Sequence, residues 1–183
     1  MTILEIIVIA IILFVNISIG LAFLSIMFSS SQGAPFVPSN KKSIRKMLEL
    51  AEIKPTDTVF DLGCGDGRIV FQLEKLGVRR AIGVEVSPLV CLLARLRKFF
   101  SGARQSEIRF GNIFKQTDYD QADVILVFLF PHIVQRIFDE IWPQLKPGAR
   151  LVSSSFFPKT IEADIVIPRE KGRNKIAVYI KKA

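Results

Sequence analysis

The chain has 183 residues, enough for one domain of ordinary size with a real core. Its charge is lopsided: of 25 Lys and Arg and 17 Asp and Glu, only Glu5 lies before residue 41, so residues 41–183 carry a net charge of +9 (25 less 16). Two cysteines, Cys64 and Cys91, provide neither a disulfide framework nor a metal-binding spacing; they are read as packed or ligand-facing thiols in a reducing compartment, and no metal is expected.

Residues 6–28 form a run of 23 without a charge, which as a helix spans about 35 Å and exceeds the ~30 Å hydrocarbon core of a bilayer. The run is too long for a signal peptide and lacks a basic start, so residues 1–28 are expected to be an uncleaved transmembrane anchor. The first cations are Lys41, Lys42, Arg45 and Lys46, which places the following domain on the cytoplasmic side of the membrane. A Ser- and Pro-containing linker, residues 29–40, keeps that domain near the bilayer. A basic domain beside a membrane fits anionic lipid; cations scattered without interleaved aromatic residues do not suggest nucleic acid.

Residues 41–183 read as strand and helix in alternation. Asn40 or Ser39 can cap an amphipathic helix running to about Glu52, with Ile44, Met47, Leu48 and Ala51 on one face. A strand through Val59 and Phe60 leads into a glycine turn, and a helix over 68–76 is ended by Gly77. Next come a strand over 80–86, a helix opened by Ser87 and Pro88 and continuing over 89–100, and a strand over 107–110. Residues 122–130 form a fourth strand, 133–141 a helix, and 149–157, 163–168 and 175–181 three closing strands, the last two as an antiparallel hairpin. This order predicts an α/β, Rossmann-like fold: a seven-stranded, mostly parallel sheet with helices on both faces.

The glycine turn, Asp61-Leu62-Gly63-Cys64-Gly65-Asp66-Gly67-Arg68, lets backbone N–H groups approach a ligand unhindered. Its carboxylates, Asp61 and Asp66, make a pyrophosphate cofactor costly and favour a cation. S-adenosylmethionine, with a sulfonium and an ammonium, answers that description. In sheets of this kind ligands sit beyond the carboxyl ends of the strands. Glu85, ending the second strand, can accept from ribose hydroxyls, or it can be a surface acid beside the helix start at Ser87. Asn112 and Ile113, after the third strand, can hold an adenine edge and face, with a plain turn as the rival reading.

Phe128, Phe130 and Pro131, at the end of the fourth strand, would lie beneath a transferred methyl. The sole histidine, His132, reads as an exposed first-turn residue before it reads as a base. Asp118, Asp120 and Asp123 read as solvated turn charges. The linker motif Pro35-Phe36-Val37-Pro38-Ser39 is a stiff spacer or a lid over the cofactor.

Together, Pro35-Phe36-Val37-Pro38-Ser39, the turn from Asp61 to Arg68, Gly83-Val84-Glu85 and residues 128–131 resemble the seven-β-strand lysine methyltransferases that modify the mitochondrial adenine nucleotide translocase and the ATP synthase c-subunit, with their prokaryotic relatives. The resemblance covers about residues 33–157 and includes the preceding apolar segment. It implies that Asp61, Gly63, Gly65 and Glu85 bind S-adenosylmethionine, and that Pro35 to Pro38 form part of the catalytic, substrate-facing wall. Where family members often carry a tyrosine, this chain has Phe128-Leu129-Phe130.

The resulting expectation is a membrane-anchored, S-adenosylmethionine-dependent methyltransferase acting on lysine in a membrane or membrane-adjacent protein. The cofactor would be held by Asp61, Gly63, Cys64, Gly65, Glu85, Asn112 and Ile113. An aromatic mouth of Phe36, Phe128 and Phe130, with Pro35, would serve transfer. A methyltransferase for a small or lipid-soluble acceptor, and a cofactor-binding module without turnover, are the alternatives.

Overall fold

A computed structural model describes residues 2–32 and 40–183, without the side chains of 22 and 24–32. Pro35 and Phe36, and with them the whole motif over 35–39, lie outside the described residues.

Helix α1 spans Ile3–Gln32 and so runs four residues into the expected linker, through residues 29–32. Over Ile3–Leu21 it is long and apolar enough to cross a membrane, and none of that stretch is buried in the protein. Asn40 caps α2 (Lys41–Leu50), its side chain accepting from the Ser43 N–H at 2.8 Å.

The remaining elements follow the expected alternation: β1 (Thr58–Leu62), α3 (Arg68–Lys75), β2 (Arg80–Glu85), α4 (Pro88–Ser101), β3 (Glu107–Phe110), β4 (Val124–Val127), α5 (Pro131–Glu140), β5 (Arg150–Ser154), β6 (Ile165–Ile167) and β7 (Ile176–Ile180). They build a seven-stranded sheet in the order β3-β2-β1-β4-β5-β7-β6. The first five strands are parallel; β7 runs antiparallel to both β5 and β6.

Strand periodicity divides the core. Val59, Ala81, Val124, Leu126 and Val152 face α2, α3 and α4, whereas Phe60, Leu62, Ile82, Ile125 and Leu151 face α5 and the short turns around Tyr119 and Trp142. Both faces are covered, which explains why β4 is unbroken Val-Ile-Leu-Val, every residue fully buried.

Two strands end three residues earlier than the sequence suggests. β4 stops at Val127, opposite Leu62, because β1 turns away at Gly63 and leaves Phe128–Phe130 without a ladder partner. β5 stops at Ser154, its last pairing with β7, and Ser155 turns the chain out with φ 72°. Both truncations release aromatic side chains at the carboxyl end of the sheet. Asp118 and Asp123 are not solvated turn charges either. Arg109 reaches Asp118 at 2.8 Å, while Asp123 accepts from the Thr58 N–H at 2.8 Å and pairs with Lys146 at 2.6 Å.

Candidate active site

The sheet order reverses between β1 and β4, and sheets of this kind hold their ligands in the cleft beyond the carboxyl ends of the strands at such a point. β1 ends at Leu62 and the chain turns at once. Gly63 has φ +75°, a conformation that favours glycine, and a Cβ there would lie 2.6 Å from Leu129 Cδ2, which would have to swing aside. At Gly83 on β2 a Cβ would meet Cys64 Sγ and Val70 Cγ2, each at 2.7 Å. That thin point in β2 lets the Cys64 thiol tuck under the turn. The thiol is buried, burial pushes its pKa well up, and the Cys64 N–H donates to the Val84 carbonyl at 3.1 Å. Cys64 therefore shapes the turn from beneath.

The acids around the turn have different fates. Asp66, although burial opposes it, is held ionised below the usual carboxylate range by hydrogen bonds and charge from Arg68 at 2.7 Å and by the charge of Arg97, which also contacts it. It is neutralised by protein cations, so the cation preference inferred from an Asp61 and Asp66 pair has to be reassigned to Asp61 and Glu85. Glu85 is buried, and both its oxygens are engaged: Oε2 accepts from the Gly65 N–H at 2.9 Å and Oε1 from the Ser87 N–H at 2.8 Å. Burial raises its pKa. A carboxylate has about four acceptor positions, so two remain for ligand hydroxyls. Glu85 is thus more than a surface acid beside Ser87; it ties the glycine turn to the start of α4.

Asp61 is the decisive residue. It is only 4% exposed, and its Oδ2 is a buried oxygen without a hydrogen-bond partner. Burial first, then the charges of Glu85 and Asp66, push its pKa up to about 7. A buried acceptor left without a donor is costly, and a cationic N–H group from a ligand would satisfy it.

Farther round, the Asn112 Oδ1 accepts from the Phe114 N–H at 2.9 Å, capping a short turn and leaving the amide nitrogen as the group able to face a ligand. Ile113 is buried, and its carbonyl accepts from the Tyr119 hydroxyl at 2.7 Å, which fixes the loop. Phe128 is half-buried. Phe130 is more exposed and packs edge to face on Phe156, ring centroids 6.0 Å apart; the exposed His132 ring lies 6.3 Å from Phe130. Phe156, strand interior by the sequence alone, joins Phe130 because β5 ends two residues before it. Its position after a fifth parallel strand was the available signal. Among the described residues, no group of three or more His, Cys, Asp or Glu is placed to hold a metal.

A family model described as the ANTKMT methyltransferase domain matches residues 61–164, from Asp61 to a point before β6. The chain belongs to this family. Among similar proteins, a protein-lysine N-methyltransferase of Saccharolobus islandicus is 36% identical over 149 residues, covering 80% of this chain and 91% of that protein. An adenine nucleotide translocase lysine N-methyltransferase of Mus musculus is 33% identical over 122 residues, 67% of this chain; this chain spans only 53% of that protein's length. Among solved structures, one described as an RNA methyltransferase of Salinibacter ruber in complex with S-adenosyl-L-homocysteine superposes with a TM-score of 0.74 at 32% identity, covering 80% of this chain and 94% of that one. This family member is accordingly a methyltransferase, and S-adenosylmethionine is its cofactor. The cleft suits that cofactor: Asp61 presents an orphaned buried acceptor, Glu85 retains acceptor capacity, and Gly63 keeps the floor of the turn open.

Proposed function

We propose that the chain is a membrane-anchored protein-lysine N-methyltransferase whose acceptor lysine belongs to a membrane or membrane-adjacent protein. The cofactor-facing part of this reading is carried by Asp61, whose buried Oδ2 lacks a partner. The acceptor is suggested by the lysine methyltransferases of Saccharolobus islandicus and Mus musculus named above. The anchor reading is supported by the length and apolar character of α1, and the cytoplasmic orientation by the cations that follow at Lys41, Lys42, Arg45 and Lys46.

When bound, S-adenosylmethionine supplies an electrophilic methyl for in-line attack by an amine. Asp61 accepts from the cofactor's ammonium, Glu85 accepts from its ribose hydroxyls, and the Gly63–Gly65 backbone, shaped by Cys64, lines the approach. Asn112 and Ile113 hold the adenine. Phe128, Phe130 and Phe156 exclude water where the acceptor enters. A lysine with pKa ≈ 10.4 costs about 4.6 kcal/mol to deprotonate at pH 7, and a dry aromatic mouth lowers that cost by disfavouring the ammonium form. Proximity and desolvation then account for transfer without a dedicated base. Pro35 and Phe36 complete the acceptor wall in this reading.

The test is incubation of the protein and isolated membranes with methyl-labelled S-adenosylmethionine. Label in a protein band, released as methyl-lysine on hydrolysis, supports the proposal. Label in extracted lipid or a small molecule supports the alternative acceptor, and transfer to none of these supports a binding module. The Salinibacter ruber relative makes RNA a fourth arm: label in purified RNA alone would overturn the lysine reading. Replacing Pro35 and Phe36 by Ala should abolish transfer while cofactor binding persists; undiminished transfer would reduce the motif to a spacer.

A further inference from the structure

Helix α4 turns greasy residues outward. Its inner face, Cys91 and Ala94, packs on the sheet. Its outer face carries Leu89, Leu92, Leu93, Leu96, Phe99 and Phe100, all exposed, with the two phenylalanines 80% and 81% exposed. At 100° per residue these six positions fall within an arc of about 120°. Arg97 lies just beyond one border of the arc and Arg95 just beyond the other. From residue 86 to residue 106 there is no Asp or Glu, while Arg95, Arg97, Lys98 and Arg104 all fall there.

This surface is not a loose end. Glu74 of α3 accepts from the N–H groups of Arg104, Gln105 and Ser106 at 2.7, 3.0 and 2.9 Å, and Lys98 bonds the Ser106 carbonyl. Arg97 contacts Asp66 in the glycine turn. The helix is thus locked to the domain at its far end and near the cofactor cleft, and still shows its apolar stripe to solvent.

We infer that α4 lies in the surface of an anionic bilayer, with Leu92, Leu93, Leu96, Phe99 and Phe100 among the acyl chains and Arg95 and Arg104 at the headgroups. An apolar stripe bordered by cations, its apolar face sunk about 5–10 Å into the boundary between headgroups and acyl chains, is the arrangement of interfacial helices. Two observations select a membrane over a second copy of the chain. The cationic borders would face their own like in a symmetric pair. Helix α1 also comes next to α4, so a spanning α1 holds α4 at bilayer level. The inference rests on the anchor reading of α1. It adds that the domain does not hang free on its leash: α4 begins just after Glu85, so docking brings that end of the cofactor cleft to the membrane surface, where an acceptor embedded in the bilayer can present a lysine.

The test uses the full chain in phosphatidylcholine vesicles with and without phosphatidylglycerol. Single cysteines replace Phe99 or Phe100, Ile12 in α1, or Lys171 as an exposed control, and carry a nitroxide; Cys64 and Cys91 are buried. Oxygen and a water-soluble nickel complex then report depth. The expected result is that labels at 99 and 100 lose several-fold in nickel accessibility and gain oxygen accessibility in anionic vesicles, and do so less in neutral ones, while 171 stays aqueous. A label at 12 in the bilayer with labels at 99 and 100 fully aqueous overturns this inference and leaves the anchor intact. Labels at 99 and 100 in the bilayer with 12 aqueous would remove the anchor and retain α4 as the membrane contact. All three aqueous would overturn both.

Discussion

With Asp61 as the proposed acceptor for the cofactor's ammonium, its unpartnered Oδ2 makes cofactor affinity depend on proton concentration. In the unfolded chain its carboxyl titrates near ~3.9, whereas burial and the neighbouring acids push it up to about 7 in the folded protein. The native state therefore binds the proton more tightly. Without ligand, Asp61 costs the fold stability as pH rises from ~4 through 7, on the order of 4 kcal/mol once the group is fully ionised. A cationic ligand reverses the balance by drawing off the proton. Below pH 7 the ligand's α-amino group, an ordinary amino-acid ammonium, remains charged, so the pH dependence belongs to the protein. Between about pH 5.5 and 7 the ionised fraction of a group with pKa 7 rises from ~3% to ~50%, which predicts a ~15-fold gain in affinity for S-adenosylhomocysteine, about 1.6 kcal/mol. At about pH 6, close to 0.9 proton should leave per ligand bound. Titration calorimetry in two buffers of different ionisation enthalpy reads that release directly. Asp61→Asn should weaken binding about 10- to 100-fold at pH 7, leave only the smaller slope due to buried Glu85, and raise the melting temperature of the ligand-free protein in alkaline buffer. An affinity flat across this range, or native affinity in Asp61→Asn, would refute the reasoning.

Three other perturbations follow from the cleft. Glu85→Ala leaves the Gly65 and Ser87 N–H groups without their carboxylate; thermal unfolding should record a loss of about 1–3 kcal/mol, together with a cofactor affinity too weak for calorimetry. An unchanged melting temperature would mean that Glu85 does not tie the two loops together. Gly63→Ala must strain a φ of +75° and push Leu129 aside; it should cost about 1–3 kcal/mol, and Leu129→Ala should recover only the steric share, so full recovery would count against a conformational cost. Phe130→Ala and Phe156→Ala should lower kcat about tenfold at neutral pH with cofactor affinity intact, and the deficit should shrink near pH 9, where the acceptor amine sheds its proton more readily. An equal deficit at both pH values would exclude suppression of the ammonium form as the role of the aromatic mouth.

The elements were legible because their signals were local. Asn40 before a helical stripe, Gly77 after one and Pro88 at a helix start are each read from a few residues, and each fell within a residue or two of the structure. The ends of β4 and β5 were not legible, because a strand ends where its neighbour turns away: Phe128 is as good a strand residue as Val127 until Gly63 removes its partner. The same limit misassigned charge in the glycine turn. Asp61 and Asp66 look equivalent in the sequence, yet one lies buried without a partner and the other is held by Arg97, 31 residues farther along the chain. The outward-facing side of α4 was hidden for a related reason. Helical spacing reveals apolar stripes, and only packing reveals which of two stripes meets the sheet.

Strand β7 lies between β5 and β6 although it is made after both. During synthesis β6 therefore has no place to dock and β5 keeps an open edge until Ile180 clears the ribosomal tunnel, long after α1 has emerged. The sheet is closed by a strand made after both of its neighbours, so the catalytic unit matures only when β7 inserts between edges that were already formed.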